Sequence, residues 1–371
     1  MDEKYMELAL SLAKKGRGFV SPNPVVGAVI VKDGKIIGEG YHKRYGGPHA
    51  EVEAFNNISE EAEGATMYVT LEPCSHYGKT PPCADLIIEK KIAKVVIGIL
   101  DPNPLVAGNG VKKLKDAGIE VKVGVLEKKC NKINEIFMKY ISTKIPFVLM
   151  KTAMSLDGKI STYTGESRWI SGEESRKQVH KLRINYSAIM VGVNTVVEDD
   201  PELTCRIEGG RNPIRIILDS NLRIPMSSKI VQSAKKVKTI VVATNNAPRE
   251  NRIMLEKKGI NILLTDDIDG RVNLKDLMKK LGELNIDSVL LEGGSTVNFS
   301  ALEQGVVDKV QIYIAPMILG GDISKSTVGG KGVEHLKDAF KLKKLSTQYV
   351  GEDVLIEGYI EKRVENPCLQ E

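Results

Sequence analysis

Aromatic residues are scarce in this chain: phenylalanine, tryptophan and tyrosine make up 5% of its 371 residues, and Trp169 is the sole tryptophan. A protein that reads flipped or single-stranded bases needs aromatic platforms interleaved with basic charge. The sequence holds no such stripe, and Lys128, Lys129 and Lys132 read as a solvated helix face. A nucleic-acid partner is therefore not expected. Charge of either sign is also in short supply as an excess. Lys and Arg number 53 against 48 Asp and Glu, a balance of +5 that suits a small anionic substrate. The five cysteines, Cys74, Cys83, Cys130, Cys205 and Cys368, are too few and too uneven for a disulfide framework. No apolar run approaches the ~18 residues of a membrane span, and Met1-Asp2-Glu3-Lys4 lacks the apolar core of a signal peptide. A cytoplasmic location and no membrane partner are expected. In a reducing compartment, thiols near a histidine favour metal binding over a bridge.

What is present is an α/β pattern. At ~150 residues per domain the length predicts two domains. Strands are expected at 25–31, 36–41, 65–71, 94–99 and 119–123, and helices at 5–15, 49–57, 83–91 and 111–117. One closing helix is predicted over 126–142. The boundary falls at Thr143-Lys144-Ile145-Pro146, because the residue before proline is biased out of the helix. The expected domains are 1–145 and 146–371. The second alternates again, with strands near 147–153, 187–191, 214–218, 239–243, 260–264, 287–291, 310–314 and 354–360, and helices near 173–182 and 274–281.

The strongest chemical signal is His49-Ala50-Glu51, followed by Pro73-Cys74 and Pro82-Cys83. One imidazole and two thiols can hold Zn²⁺ and leave its fourth position for water. Glu51 is spaced to stand beside that water as a proton shuttle. His49, Cys74 and Cys83 are thus candidate metal ligands and Glu51 the candidate catalytic residue. A structural zinc site would instead need a fourth protein ligand, which His76 could supply.

Deaminases usually space their cysteines as Cys-x-x-Cys, whereas eight residues separate Cys74 from Cys83. With Ser21-Pro22-Asn23-Pro24-Val25-Val26-Gly27, Leu71-Glu72-Pro73-Cys74 and Asp101-Pro102-Asn103-Pro104, this wide spacing resembles the bifunctional riboflavin-biosynthesis deaminase-reductase family. The resemblance implies an N-terminal three-layer, cytidine-deaminase-like domain with a mixed sheet. It implies deamination of a diaminopyrimidinone carrying a ribosylamino 5′-phosphate. Asn23, His42, His76, Lys79, Asp101 and Asn103 become candidate substrate contacts.

The second half has no G-x-G-x-x-G after a strand, which argues against a Rossmann fold. Its segments 151–160, 191–195, 199–206 and 291–296 resemble the reductase half of the same family, which is similar to dihydrofolate reductase and uses NADPH. The resemblance implies reduction of the ribosyl chain to ribityl. Ala153, Trp169, Thr195, Asp199, Gly294, Ser295, Thr296, Val297, Asn298, Phe299 and Ser300 become candidate NADPH contacts. Lys151, Ser167, Arg183, Leu203, Arg206 and Glu292 become candidate reductase-substrate contacts, with the two arginines suited to a phosphate. The family also implies a homo-oligomer, a dimer or tetramer. Two rival readings are a nucleic-acid deaminase with an appended domain and a zinc-stabilised binding module without catalysis.

Overall fold

The computed structural model describes residues 1–77, 81–103 and 107–361. The chain divides into two units, Met1–Lys144 and the part from Ile145 onward. No helix among the described residues is long and apolar enough to cross a membrane.

In the first unit, β1 (Gly27–Lys32), β2 (Lys35–Tyr41), β3 (Thr66–Leu71), β4 (Lys94–Ile99) and β5 (Glu120–Val123) form a sheet in the order β2-β1-β3-β4-β5. The sheet is mixed: β1 runs antiparallel to β2 and β3, while β3, β4 and β5 are parallel. Asp33 and Gly34 turn β1 into β2 with φ of 48° and 77°, and such a pair matches the twist of the flanking strands. Its helices are α1 (Asp2–Lys14), α2 (Ala50–Asn56), α3 (Cys83–Glu89), α4 (Asn109–Asp116), α5 (Glu127–Ile133) and α6 (Glu135–Thr143). A Cβ on Gly27 would lie 2.0 Å from the Ala9 carbonyl oxygen of α1; one on Gly40 would lie 2.2 Å from the Ala54 nitrogen of α2. Gly40 pairs with Ala28, so the two glycines belong to opposite faces of the sheet. Helices therefore cover both faces at backbone contact, giving three layers around a core that includes Met6, Ile30, Met67 and Ile97.

The single closing helix expected over 126–142 is instead two, broken at Asn134 (φ −108°, ψ 15°). The buried Asn134 amide accepts a hydrogen bond from the Val25 N–H at 2.9 Å and donates to the Val25 carbonyl at 3.0 Å. A side chain that serves a distant backbone in this way competes with helix continuity.

The second unit contains β6 (Phe147–Ser155), β7 (Ala188–Gly192), β8 (Ile214–Leu218), β9 (Thr239–Thr244), β10 (Asn261–Thr265), the small hairpin β11 (Asp267–Ile268) and β12 (Arg271–Val272), β13 (Ser288–Leu291), β14 (Lys309–Ala315), β15 (Leu342–Val350) and β16 (Asp353–Ile360). Its helices are α7 (Glu173–Asn185), α8 (Val193–Asp199), α9 (Lys229–Gln232), α10 (Arg249–Lys257), α11 (Leu274–Glu283) and α12 (Ser295–Glu303). The nine-stranded sheet has the order β10-β9-β8-β7-β13-β6-β14-β16-β15. It is parallel from β10 to β14; β16 and β15 are antiparallel. Alternate residues along the strands enter different cores, Met190, Ile216 and Val242 in one and Ile189, Ile217 and Val241 in the other. Burial on both faces explains why these strands read as continuous apolar runs. The strand order changes direction around β6 and β7, and ligands of such sheets bind beyond the carboxyl ends at the reversal.

Candidate active sites

His49 caps the start of α2 and Cys83 opens α3, so two short helices aim their first residues at one point. Cys74 follows β3 and completes the group. The three donor atoms all lie within 4.8 Å of one another. His49 Nδ1 is 3.6 Å from Cys74 Sγ and 3.4 Å from Cys83 Sγ. The Cys83 N–H donates to Cys74 Sγ at 3.3 Å. Hydrogen bonding from the Cys83 thiol, and then from His49, pulls the Cys74 thiol down to about 4, while Cys83 is driven well above its usual range. The bond to Cys74 raises His49 to about 9. Such a cluster already favours a thiolate beside a positive charge, which is the donor chemistry zinc takes. The residues present fit that metal. His76 is exposed and is not part of this donor group.

Glu51 is buried on α2 and also stands outside the donor group. Burial pushes its carboxyl up to about 7 against the pull of His49. A carboxyl near neutrality can both accept and release a proton at physiological pH.

The substrate candidates fall into two groups. Buried His42 bonds through Nδ1 to the Pro48 carbonyl at 2.9 Å, and its Nε2 is 3.2 Å from Asn23 Nδ2. A carbonyl only accepts, so His42 Nδ1 carries the proton and Nε2 accepts from Asn23. The His42 and His49 rings meet edge to face at 5.7 Å. On the other side, Asp101 accepts the Asn103 N–H at 2.8 Å and is close enough to His76 and Cys74 to feel their charges; burial raises its carboxyl. Lys79 lies outside the described residues. Sequence reasoning assigned no role to Glu72, whose buried carboxylate accepts the N–H groups of Asp101 (3.2 Å), Gly108 (3.0 Å) and Val111 (3.1 Å). It ties the 101–103 segment and the start of α4 to the Pro73-Cys74 turn.

In the second unit, a cleft of about 690 Å³ lies at the carboxyl ends of β6, β7 and β13. Lys151, Ala153, Ser167, Trp169, Arg183, Thr195, Asp199, Leu203, Arg206 and Glu292 all line it. Arg183 binds Glu292 through Nε (3.1 Å) and Nη2 (3.0 Å), and its Nη1 donates to the Thr204 carbonyl at 3.1 Å. Its fork is thus largely committed, which leaves exposed Arg206 the freer phosphate partner. Burial lowers the Lys151 ammonium while Glu292 pulls it upward. Arg168 Nη2 donates to the Asp199 carbonyl at 2.9 Å, and the Arg176 guanidinium stacks 4.7 Å above the Trp169 ring. Arg168, Arg176 and His180 line the cleft but were missed. The last two stand seven and three residues before Arg183 on α7, so helical spacing alone could have found them.

A second cavity, about 570 Å³, holds Thr296, Val297 and Ser300 with Gly192, Val193 and Asn194. Asn298 and Phe299 line neither cavity. Asn298 is buried and donates to the Thr327 carbonyl, and Phe299 meets Phe340 edge to face at 6.4 Å. Gly294 caps α12, and Ser295 begins it. Two cavities separated by the Gly192–Thr195 turn, one of them rich in cations, fit an extended dinucleotide beside a phosphorylated substrate.

Residues 146–356 match the family model described as the RibD C-terminal domain. Residues 1–99 match that of the cytidine and deoxycytidylate deaminase zinc-binding region. The chain is 51% identical over 356 residues to the riboflavin biosynthesis protein RibD of Actinobacillus pleuropneumoniae, covering 96% of this chain and 94% of the relative. It is 46% identical to the RibD of Aquifex aeolicus over 96% of this chain and 98% of the relative. The crystal structure of a Thermotoga maritima diaminohydroxyphosphoribosylaminopyrimidine deaminase/5-amino-6-(5-phosphoribosylamino)uracil reductase matches with a TM-score of 0.86 at 40% identity, covering 97% of this chain and 98% of that one. The chain therefore belongs to the RibD family of bifunctional riboflavin-biosynthesis deaminase-reductases.

Proposed function

We infer that this chain deaminates a phosphorylated diaminopyrimidinone in its first unit and reduces the sugar of the product in its second. The convergence of His49, Cys74 and Cys83 beside a buried, non-ligating Glu51 carries the first half of that reading. These three residues would hold zinc, which when bound supplies a Lewis acid that activates water at neutral pH. Glu51 would hold and move the proton, accepting it from the attacking water and delivering it to the departing amino group, so that ammonia leaves as a neutral molecule. Asn23 is oriented by His42; its remaining N–H and its carbonyl oxygen read the pyrimidine edge. Asp101 and Asn103, fixed through Glu72, line the other side together with His76.

In the second unit, NADPH when bound supplies the hydride. Trp169, Ala153, Thr195 and Asp199 position the nicotinamide end, and Gly294–Ser300 contribute through the start of α12. Lys151, facing Glu292 across neighbouring strands, holds and moves a proton at the sugar oxygen. Arg206 binds the substrate phosphate, and Ser167 and Leu203 bound the substrate's path. The domains would run 1–145 and 146–371. The functional form would be a homo-oligomer in the cytoplasm, without nucleic-acid or membrane partners.

Two assays on purified protein test the pair of activities: ammonia release from the diaminopyrimidinone phosphate, and loss of nicotinamide absorbance with the deaminated product. The reading requires both. Metal analysis should return about one zinc per chain, with His49, Cys74 and Cys83 sufficient to hold it.

A further inference from the structure

Arg215 is a buried cation that neither proposed reaction employs. It stands on β8, fully buried, on the sheet face that carries Ile217. Its Nε donates to the Thr239 hydroxyl at 2.9 Å. Nη2 donates to the carbonyls of Ile230 and Val237, both at 3.1 Å. Nη1 donates to the Ser233 hydroxyl at 2.8 Å and to the Glu202 carbonyl at 3.2 Å. All five guanidinium N–H groups are thus used, and no carboxylate is among these acceptors. Burial pulls the group down to about 10. A buried charge without a counter-ion costs folding energy, so its bonds need a reason. Four of them go to α9, its end and the approach to β9. The fifth reaches Glu202, in the wall of the larger cleft.

That wall has an unusual backbone. Leu203 lines the cleft with φ of 53°, a region in which a bulky side chain is strained. Its side chain is buried in the core with Ile217 and Ile230. The carbonyls on either side of it are both held by arginines: that of Glu202 by Arg215, and that of Thr204 by Arg183 at 3.1 Å. Asp200, at φ 39°, accepts the Lys229 N–H at 2.9 Å. This second tie runs to α9, the helix whose Ile230 carbonyl Arg215 also holds. A strained backbone persists only where its surroundings enforce it. Among the described residues, neither the N–H nor the carbonyl of Leu203 has a hydrogen-bond partner. With its side chain in the core and both neighbours tied, Leu203 offers the cleft its main chain.

We propose that Arg215 is a positioning residue of the reductase: through the Glu202 carbonyl it fixes Leu203 so that the Leu203 main chain meets the deaminated substrate. This rests on the reductase reading of the second unit, and the test separates the two. NADPH oxidation with the deaminated pyrimidine phosphate is measured for the wild type, Arg215→Lys and Thr239→Val, beside denaturant unfolding of each. A lysine keeps the charge but has no fork to join α9 and the loop. Arg215→Lys should raise KM for the pyrimidine by about tenfold and leave kcat within about threefold, because a lost binding contact weakens ground and transition states alike. Thr239→Val cuts a bond on the side away from the loop; it should lower stability yet keep KM within about twofold. Folded Arg215→Lys protein with the wild-type KM would overturn the proposal. So would Thr239→Val that raises KM as much as Arg215→Lys does. Hydrogen exchange on the wild type decides the matter if Arg215→Lys does not fold. The deaminated substrate should slow exchange in residues 202–205 by about fivefold or more, and no slowing there would overturn the proposal. Wild-type protein that oxidises no NADPH with this substrate would overturn the reductase reading itself, and the role of Arg215 with it.

Discussion

Arg183 and Glu292 are joined by two parallel hydrogen bonds, at 3.1 and 3.0 Å, between a helix and the residue that follows β13. Both side chains are mostly buried. Truncating one partner would leave the other charged and poorly solvated. Glu292→Ala should therefore destabilise the second unit by about 3 kcal/mol or more, read from denaturant unfolding. Arg183→Lys should also weaken reduction, because a single ammonium cannot reproduce the fork.

The same pair sets an acid dependence. Burial alone would raise the Glu292 carboxyl, but the charge of Arg183, then that of Lys151, and the Arg183 hydrogen bonds outweigh it and hold the group below its ordinary value. A depressed carboxylate contributes stability that is present above its unfolded pKa, about 4.3, and is lost as pH falls through the lower folded value. Glu292→Gln should thus be the less stable protein at pH 7, and its deficit should shrink as pH drops below about 4. A deficit that grows on acidification would contradict this sign.

Glu72 collects three backbone N–H groups around the deaminase site. It touches neither the metal donors nor, on this account, the substrate, so it is a positioning residue. Glu72→Gln should raise KM for the pyrimidine by roughly tenfold while the zinc content holds, since a hydrogen bond to a charged group contributes about 1.5–3 kcal/mol. Loss of metal together with activity would show instead that Glu72 supports the whole fold.

Asn134 answers both backbone groups of Val25, which lies two residues before Gly27 and two after Asn23. Asn134→Ala strands a buried donor and acceptor and should cost about 2 kcal/mol in stability. Asn134→Leu, which favours helix more strongly, should not recover that loss.

Much of the architecture was legible because its signals are local. The β-branched runs and the Asp33-Gly34 turn mark strands without reference to anything distant. The candidate donor cluster was legible because zinc demands particular atoms, and His49, Cys74 and Cys83, which the fold brings within 4.8 Å of one another, are the types that offer them. Other features depended on partners far along the chain. Asn134 ends a helix for the sake of Val25, and nothing near Asn134 announces it. Among the described residues, strand β15 pairs only with β16 at a sheet edge, and it is exposed along nearly its whole length, so it lacks the alternation that reveals a strand. Asn298 and Phe299 sit within a stretch that faces a cavity, but helix geometry turns them inward toward Thr327 and Phe340. Nothing near Arg183 announces its carboxylate partner either, which lies 109 residues away.

The central claim is that Glu51 moves protons at a metal it does not bind. Zinc content and ammonia release measured on the same preparation of Glu51→Gln test it most directly. The account predicts unchanged zinc and deamination slowed by about 10²–10⁴-fold. Zinc-loaded variant that releases ammonia at the wild-type rate would contradict it.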